Sequence, residues 1–314
     1  GGFCEGEAKN KPIELSWVSF HPGNFHGTKI LQKMFVDKIN EAAKGELVIK
    51  HRGGPETIHA MELGPATKKG VVDIGNLPVG YYEPVAPGIG ALMLSQLTVA
   101  EERKGGAYDY LDELHKKGGL KYLGRANATL DPFFYTHVRG KKVETQEDFK
   151  KLKLGGVTAG RSAVRGWGSS FFMTVVPEWY PALERKVVDG IAGSPLTTAH
   201  ESGFYELVDY VIDHPWYANT VSVIMNLDKW NKLPEHLQKL ITESMIQYEN
   251  ETVVLNTKAE QNAKQKIAAS GVEFVTLSPD VAKWYIGNAY KAGWDYQQKK
   301  FPEPTPRLKK LLTK

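Results

Sequence analysis

"ATKKGVVDIGNLPV" at residues 66–79 is echoed by "ALERKVVDGIAGSP" at residues 182–195. In each, an alanine and a charged tail lead into Val-Val-Asp, and a glycine-punctuated apolar run follows. The tail reads as the end of a helix and the run as a buried strand. Upstream of the first copy, "ELSWVSF" (14–20) alternates like a strand. "HGTKILQKMFVDKINEAAKG" (26–45) then sets Ile30, Leu31, Met34, Phe35, Lys38 and Ile39 at helical spacing before a glycine stop. "ELVIKHRGG" (46–54) is a second strand, and "ETIHAMELGPATKKG" (56–70) a second helix despite Gly64 and Pro65.

The second copy closes a run of the same grammar. Strand "KLKLGGVT" (151–158), helix "RSAVRGWG" (161–168), strand "FFMTVV" (171–176) and helix "EWYPALERK" (178–186) lead to strand "VVDGIAG" (187–193). Strand-helix-strand-helix-strand, written twice, predicts two parallel-stranded α/β units with strands buried between helices. The period is far too long for a solenoid. A chain of 314 residues also exceeds what one core comfortably fills.

The remaining sequence ties the units together. "HPWYANTVSVIMNLDKWNKLP" (214–234) reads as a strand and a turn. Pro234 opens a helix with Leu237, Leu240, Ile241, Met245 and Tyr248 on its apolar positions. Without Pro or Gly before Gly271, that helix runs about 35 residues, on the order of 50 Å, long enough to brace both units. A strand, an amphipathic helix and a Pro-punctuated basic tail, read as a surface strap, complete the chain.

Composition excludes several classes. The net charge of +4 is scattered over Lys-rich helix faces, so no nucleic-acid partner is expected. No apolar run approaches the roughly 20 residues of a membrane span, and "GGFCEGEAKNKP" lacks the apolar core of a signal peptide, so either the protein is cytosolic or its signal peptide has been removed. Cys4 is the single cysteine, and Phe3 before it argues against a lipoprotein cleavage site. There is no phosphate-binding Gly-rich Lys-Ser/Thr loop and no G-x-S-x-G elbow. His21, His26, His51 and His59 lack zinc-site spacing, so neither metal nor other cofactor is expected. Asp73 and Asp189, the last letters of the echoed phrase, could pair for acid–base work, but equivalent strand starts in separate units explain them more simply.

Parallel α/β units bind ligands beyond the carboxyl ends of their strands. The loops there are "FHPGNFHG", "RGGPETIHA" and "GNLPVGYY" in the first unit, and "TAGRSAVRG", "VVPEWY" and "AGSPLTTAH" in the second. Arg161 is the most informative residue, since a cation opposes the positive end of a helix unless an anion joins it. A carboxylate could take a bidentate pair from its guanidinium. Phe20, Phe25, Tyr81, Phe133, Phe134, Tyr135, Trp167, Trp179 and Trp216 crowd the same neighbourhoods, where some would wall a pocket for an organic molecule.

Residues 142–195, "KVETQEDFKKLKLGGVTAGRSAVRGWGSSFFMTVVPEWYPALERKVVDGIAGSP", resemble the signature region of the DctP-like substrate-binding proteins of TRAP (tripartite ATP-independent periplasmic) transporters. "QEDFKKLKL", "EWYPALERKVVDG" and "VIMNLDKWNKLPEHLQKLI" carry the likeness, which runs from about Glu14 to about Trp294. It implies an α/β, two-domain, periplasmic-binding-protein-like clam-shell with mixed sheets, hinge strands and a long helix spanning both domains. Lobe I would comprise residues 1–130 and about 216–252, and lobe II about 131–215 and 253–314. The implied function is periplasmic capture of a small organic acid by a monomer, without catalysis, and delivery to TRAP permease membrane subunits.

Family members commonly hold the carboxylate with an arginine where this chain has Gly155; a subset carries one at the following helix start, matched here by Arg161. Tyr135 stands where sialic-acid-binding members have another arginine. By position, Phe20, His21, Asn24, Glu56, Thr57 and Asn76 would contact the ligand from the first lobe, and Tyr135, Arg161, Ser194 and Trp216 from the second. Loss of the strand arginine and the abundance of aromatics suggest a monocarboxylate with an apolar or aromatic body. The alternatives are a binding protein of an ABC importer or sensor, which a neighbouring permease gene would discriminate, and an interdomain-cleft enzyme with Glu56 or Asp73 as base.

Overall fold

The computed structural model describes residues 11–218 and 220–314; Cys4 lies outside them. Among the described residues, eleven strands form two sheets. The first contains β1 (Ile13–Ser19), β2 (Leu47–His51), β3 (Ile74–Pro78), β4 (Leu120–Arg125) and β10 (Val221–Asn226), ordered β2-β1-β3-β10-β4. The second contains β5 (Tyr135–Val138), β6 (Lys153–Gly156), β7 (Ser170–Met173), β8 (Gly190–Ser194), β9 (Tyr210–Ile212) and β11 (Glu273–Val275), ordered β11-β9-β5-β8-β6-β7.

Strands β1, β2 and β3 are parallel, as are β6, β7 and β8, matching the doubled grammar. Each sheet is made mixed by a strand that has crossed over. The chain leaves the first sheet after β4 and enters the second at β5, which runs antiparallel to β8; it returns after β9 as β10, antiparallel to both β3 and β4.

The echoed aspartates perform one task in both lobes. The Asp73 carboxylate accepts from the backbone N–H (2.8 Å) and hydroxyl (3.0 Å) of Ser16 on β1, the parallel neighbour of β3. Asp189 accepts from the backbone N–H of Lys153 (2.7 Å) on β6, the parallel neighbour of β8. A carboxylate just before the closing strand thus fixes its register against the strand beside it. Asp73 is buried and Asp189 exposed, so Asp73→Ala is expected to cost about 1–3 kcal/mol and Asp189→Ala less. Urea denaturation checks this, with ligand affinity unchanged in both variants.

The sequence-predicted elements are present but several are shorter. The second helix is confined to Leu63–Lys69, closed by Gly70 with φ 74°. Strand β7 ends at Met173 because the next helix, Val176–Glu184, begins almost at once with Pro177 in its first turn. The tail is not a loose strap: Thr305–Leu312 is helical and buries Leu308 and Leu312. It packs on the short 3-10 helix Ile89–Leu94 of the first lobe, although the sequence division groups it with the second.

The long helix covers Glu235–Ala269. Its earlier half is held to the first lobe by Glu249 with Arg103 and by Glu251 with Lys38. Its later half is held to the second lobe by Lys264 with Asp213 (2.6 Å) and by Glu260 with the helix Leu196–Glu201. A second element, Pro279–Lys300, also bridges. Tyr285 stacks on Trp167 of the second lobe at 4.3 Å, while Gln297 donates to Glu83 of the first at 3.1 Å.

Candidate functional site

Between the sheets lies a cavity with about 750 Å³ of empty space, partly open to solvent. Its walls come from the carboxyl ends of β1, β3, β6 and β8, where the fold converges its loops. All but one of the six loops singled out in the sequence supply a residue. The exception, "RGGPETIHA", follows β2, the edge strand, and therefore opens away from the lobe's centre.

Phe20 and His21 enter the wall through a pinned turn. Ser19 accepts from the His21 backbone N–H (3.2 Å), shares a hydroxyl bond with Thr28 (3.0 Å) and donates to Asn76 (3.3 Å). The backbone N–H of Phe20 donates to Asn76 O at 2.9 Å. The His21 ring stacks on Phe20 with centroids 3.8 Å apart. Burial pushes its pKa down to about 3, so at neutral pH it is an uncharged imidazole. Tyr81, after β3, meets Phe20 edge-on at 6.0 Å.

The second lobe contributes Phe133, Phe134, Val157, Ala159 and Trp179. Phe134 rests edge-on against Trp216 at 5.6 Å, and the Trp179 indole donates to Thr174 O at 3.3 Å. Of the aromatics read as candidate walls, Phe20, Tyr81, Phe133, Phe134 and Trp179 line the cavity; Phe25, Trp167 and Trp216 are buried elsewhere.

Other sequence-predicted positions fall outside the lining. Asn24 is exposed beyond the turn. Glu56 accepts from the Gly54 N–H at 2.6 Å and Thr57 donates to Arg52 O at 2.9 Å, so both serve the turn after the edge strand. Asn76 is buried beneath Phe20, donating to Ser222 O at 3.4 Å. Ser194 is fully buried and donates to Pro195 O at 3.0 Å; its neighbours Gly193 and Pro195 line the cavity instead. Trp216 stands behind Phe134, in a cluster with Trp167 at 5.2 Å. Tyr135 faces a separate depression that it shares with Glu260 and Lys264.

Arg161 opens the helix Arg161–Gly166, directly after the wall residues Val157 and Ala159. Its Nε is buried, and among the described residues no acceptor meets it. Its guanidinium carbon lies 5.5 Å from the Phe171 ring centroid. A Cβ at position 155 would fall 3.1 Å from Thr174, 3.2 Å from Ile191 and 3.3 Å from Val188, so any side chain there would have to push these neighbours aside.

Sequence reading missed the cavity's polar end. His26, Asn127, Asn256, Glu201 and Glu260 line it. The backbone N–H of His26 donates to Glu201 across the cleft at 2.7 Å, and its Nε2 lies 3.1 Å from Asn256 Oδ1. Glu260 accepts from the N–H groups of Leu196 (2.8 Å) and Thr197 (3.0 Å) and from the Thr197 hydroxyl. Burial nevertheless pushes its pKa up to about 7. Burial also raises that of Glu201, against the His26 N–H and Lys29. Gly27 permits the close approach: a Cβ there would fall 2.3 Å from the Asn127 amide.

Among the described residues no group of three or more His, Cys, Asp or Glu could hold a metal ion, and no helix is long and apolar enough to cross a membrane. Comparison with known proteins agrees with the geometry. An uncharacterized protein of Haemophilus influenzae is 29% identical over 167 residues, 51% of this chain; the match spans about half (49%) of that relative's length. The monocarboxylate 2-oxoacid-binding periplasmic protein of Nostoc sp. is 22% identical over 278 residues, covering 82% of this chain and 71% of the relative. In structure, a TRAP periplasmic solute-binding protein of Haemophilus influenzae with bound L-gulonate superimposes with a TM-score of 0.82 at 20% identity, over 95% of this chain and 98% of the other. Residues 21–299 match the model of DctP, and the chain belongs to this family of bacterial extracellular solute-binding proteins, family 7.

Proposed function

We propose that this protein captures a small organic acid in the cleft between its lobes, in the periplasm, and presents it to the membrane subunits of a TRAP permease. The observation that carries this reading is the interlobe cavity itself, with aromatic walls from both lobes; two residues beyond its wall residue Ala159 stands Arg161, whose buried Nε meets no acceptor among the described residues. The 2-oxoacid and gulonate relatives support a carboxylate as the ligand's invariant part. The aromatic walls favour an apolar or aromatic body.

Phe20, His21, Tyr81, Phe134 and Trp179 would enclose that body, and Arg161 would neutralise the carboxylate by swinging from Phe171 to the edge marked by Val157 and Ala159. Contacts from both lobes make the shut form the better binder, so the ligand draws the lobes together. Nothing in this cycle forms or breaks a covalent bond, and we propose no enzymatic role.

A thermal-shift screen against small organic acids tests the reading. A ligand present at about 100 times its Kd stabilises the fold by about 2.7 kcal/mol and raises the melting temperature visibly. A screen in which only sugars or other uncharged solutes shift the melting temperature would overturn it.

A further inference from the structure

Both formally charged side chains lining the cavity, Glu201 and Glu260, are carboxylates; no lysine or arginine is among the lining residues. A simple acid entering here meets like charge at Glu201 and Glu260. Two further residues of the wall, His21 and Thr220, only 7% and 1% exposed, carry buried polar atoms, Nε2 and Oγ1, that meet no partner among the described residues. Imidazole and hydroxyl can each accept a hydrogen bond.

We propose that the organic acid taken by this cleft also carries an ammonium group, received by Glu260 and Glu201 against the aromatic wall. The inference rests on the organic-acid reading above and names the class within it. An ammonium offers three donors, and Glu260, Glu201, His21 and Thr220 offer acceptors to match. Phe20, Tyr81 and Trp179 add ring surfaces of the kind that attract cations. The three donors from Leu196 and Thr197 orient the Glu260 carboxylate while leaving it lone pairs to spare.

The charged and titratable neighbours of Glu260 leave this role open. Glu201 belongs to the helix that Glu260 caps, and His26 faces it from the first lobe. Lys264, one turn along the same helix, is engaged by Asp213 at 2.6 Å, and Tyr135 lies on the opposite side. An ammonium favours ionised Glu260, so its binding releases a proton and strengthens as pH rises through the Glu260 range. An amine-free acid binds better to protonated Glu260 and shows the opposite slope.

Calorimetry with 4-(aminomethyl)benzoate against 4-methylbenzoate, 6-aminohexanoate against hexanoate, and benzylamine alone tests the proposal. The expected result is a preference of about tenfold or more for the amino acid of at least one pair. That preference should grow from about pH 6 to about pH 8. It should shrink to within about threefold in Glu260→Gln, and in Glu201→Gln at the rim should Glu260→Gln fold poorly. Equal or tighter binding of the amine-free acids, unmoved by either variant, overturns the ammonium and leaves the organic-acid reading standing. Benzylamine binding with no acid binding overturns the organic-acid reading instead. Binding by none of the five at millimolar concentration overturns the proposal.

Discussion

Replacing Arg161 with alanine is expected to weaken capture of an organic acid by about 3 kcal/mol, roughly a hundredfold or more in Kd. Among the described residues no acceptor meets the buried Nε, and Arg161 is the first residue of a helix, where a cation opposes the positive end of the dipole. Both features make the arginine a burden to the unliganded fold, so its removal should leave the melting temperature unchanged or slightly higher. The signature is therefore a split: affinity falls while stability does not. Arg161→Lys should recover only part of the loss, because an ammonium on a flexible stem cannot reproduce a bidentate fork. Unchanged affinity of the alanine variant by calorimetry would remove Arg161 from the site.

The largest effect on stability is expected at Glu249. Its carboxylate, 3% exposed, accepts from Arg103 and from the backbone N–H of Arg125 at 2.9 Å, beside the buried pair of Arg125 with Glu102. Burial pushes the Glu249 pKa up while Arg103 and Arg125 pull it down. The position joins the long helix to β4, just before the chain crosses between the lobes. Glu249→Ala leaves Arg103 facing a buried gap and is expected to cost about 3–5 kcal/mol. Equilibrium denaturation checks it, and a loss below about 1 kcal/mol would show that water replaces the carboxylate. Glu251→Ala, two residues along and exposed, should cost about 0–1 kcal/mol and serves as the control.

The sequence revealed those parts of the fold that local rules dictate. The echoed Val-Val-Asp exposed the two parallel units, and the absence of Pro and Gly after Pro234 gave the long helix its extent. Strand β4 stayed hidden because it buries Lys121 and Arg125, whose charges are balanced by Asp112 and Glu102 from the two helices before it, pairings that only the folded chain reveals. Strand β9, three residues long, carries too little pattern to read.

The site divides in the same way. Phe20, His21, Tyr81 and Trp179 follow strand ends and could be inferred from loop position. Asn256 and Glu260 lie in the middle of a helix whose local sequence, "NTKAEQNAK", resembles any solvated face. Only tertiary packing turns them inward: Asn256 meets His26 and Ala128 O, and Glu260 meets the helix Leu196–Glu201 of the second lobe. Loop position sets Asn76 and Trp216 one layer too shallow, since position along a strand does not tell a wall from what supports it.

The helix Glu235–Ala269 carries a consequence for how the molecule comes apart. Neither lobe is a continuous stretch of chain, and the helix hydrogen-bond ladder runs unbroken from one to the other. Melting either half strips the other of a packed face, so heating should give one calorimetric transition, with equal van 't Hoff and calorimetric enthalpies. Expression of residues 135–212 alone should yield a chain that lacks β11 and the Tyr285–Trp167 stack, and hence no autonomous domain.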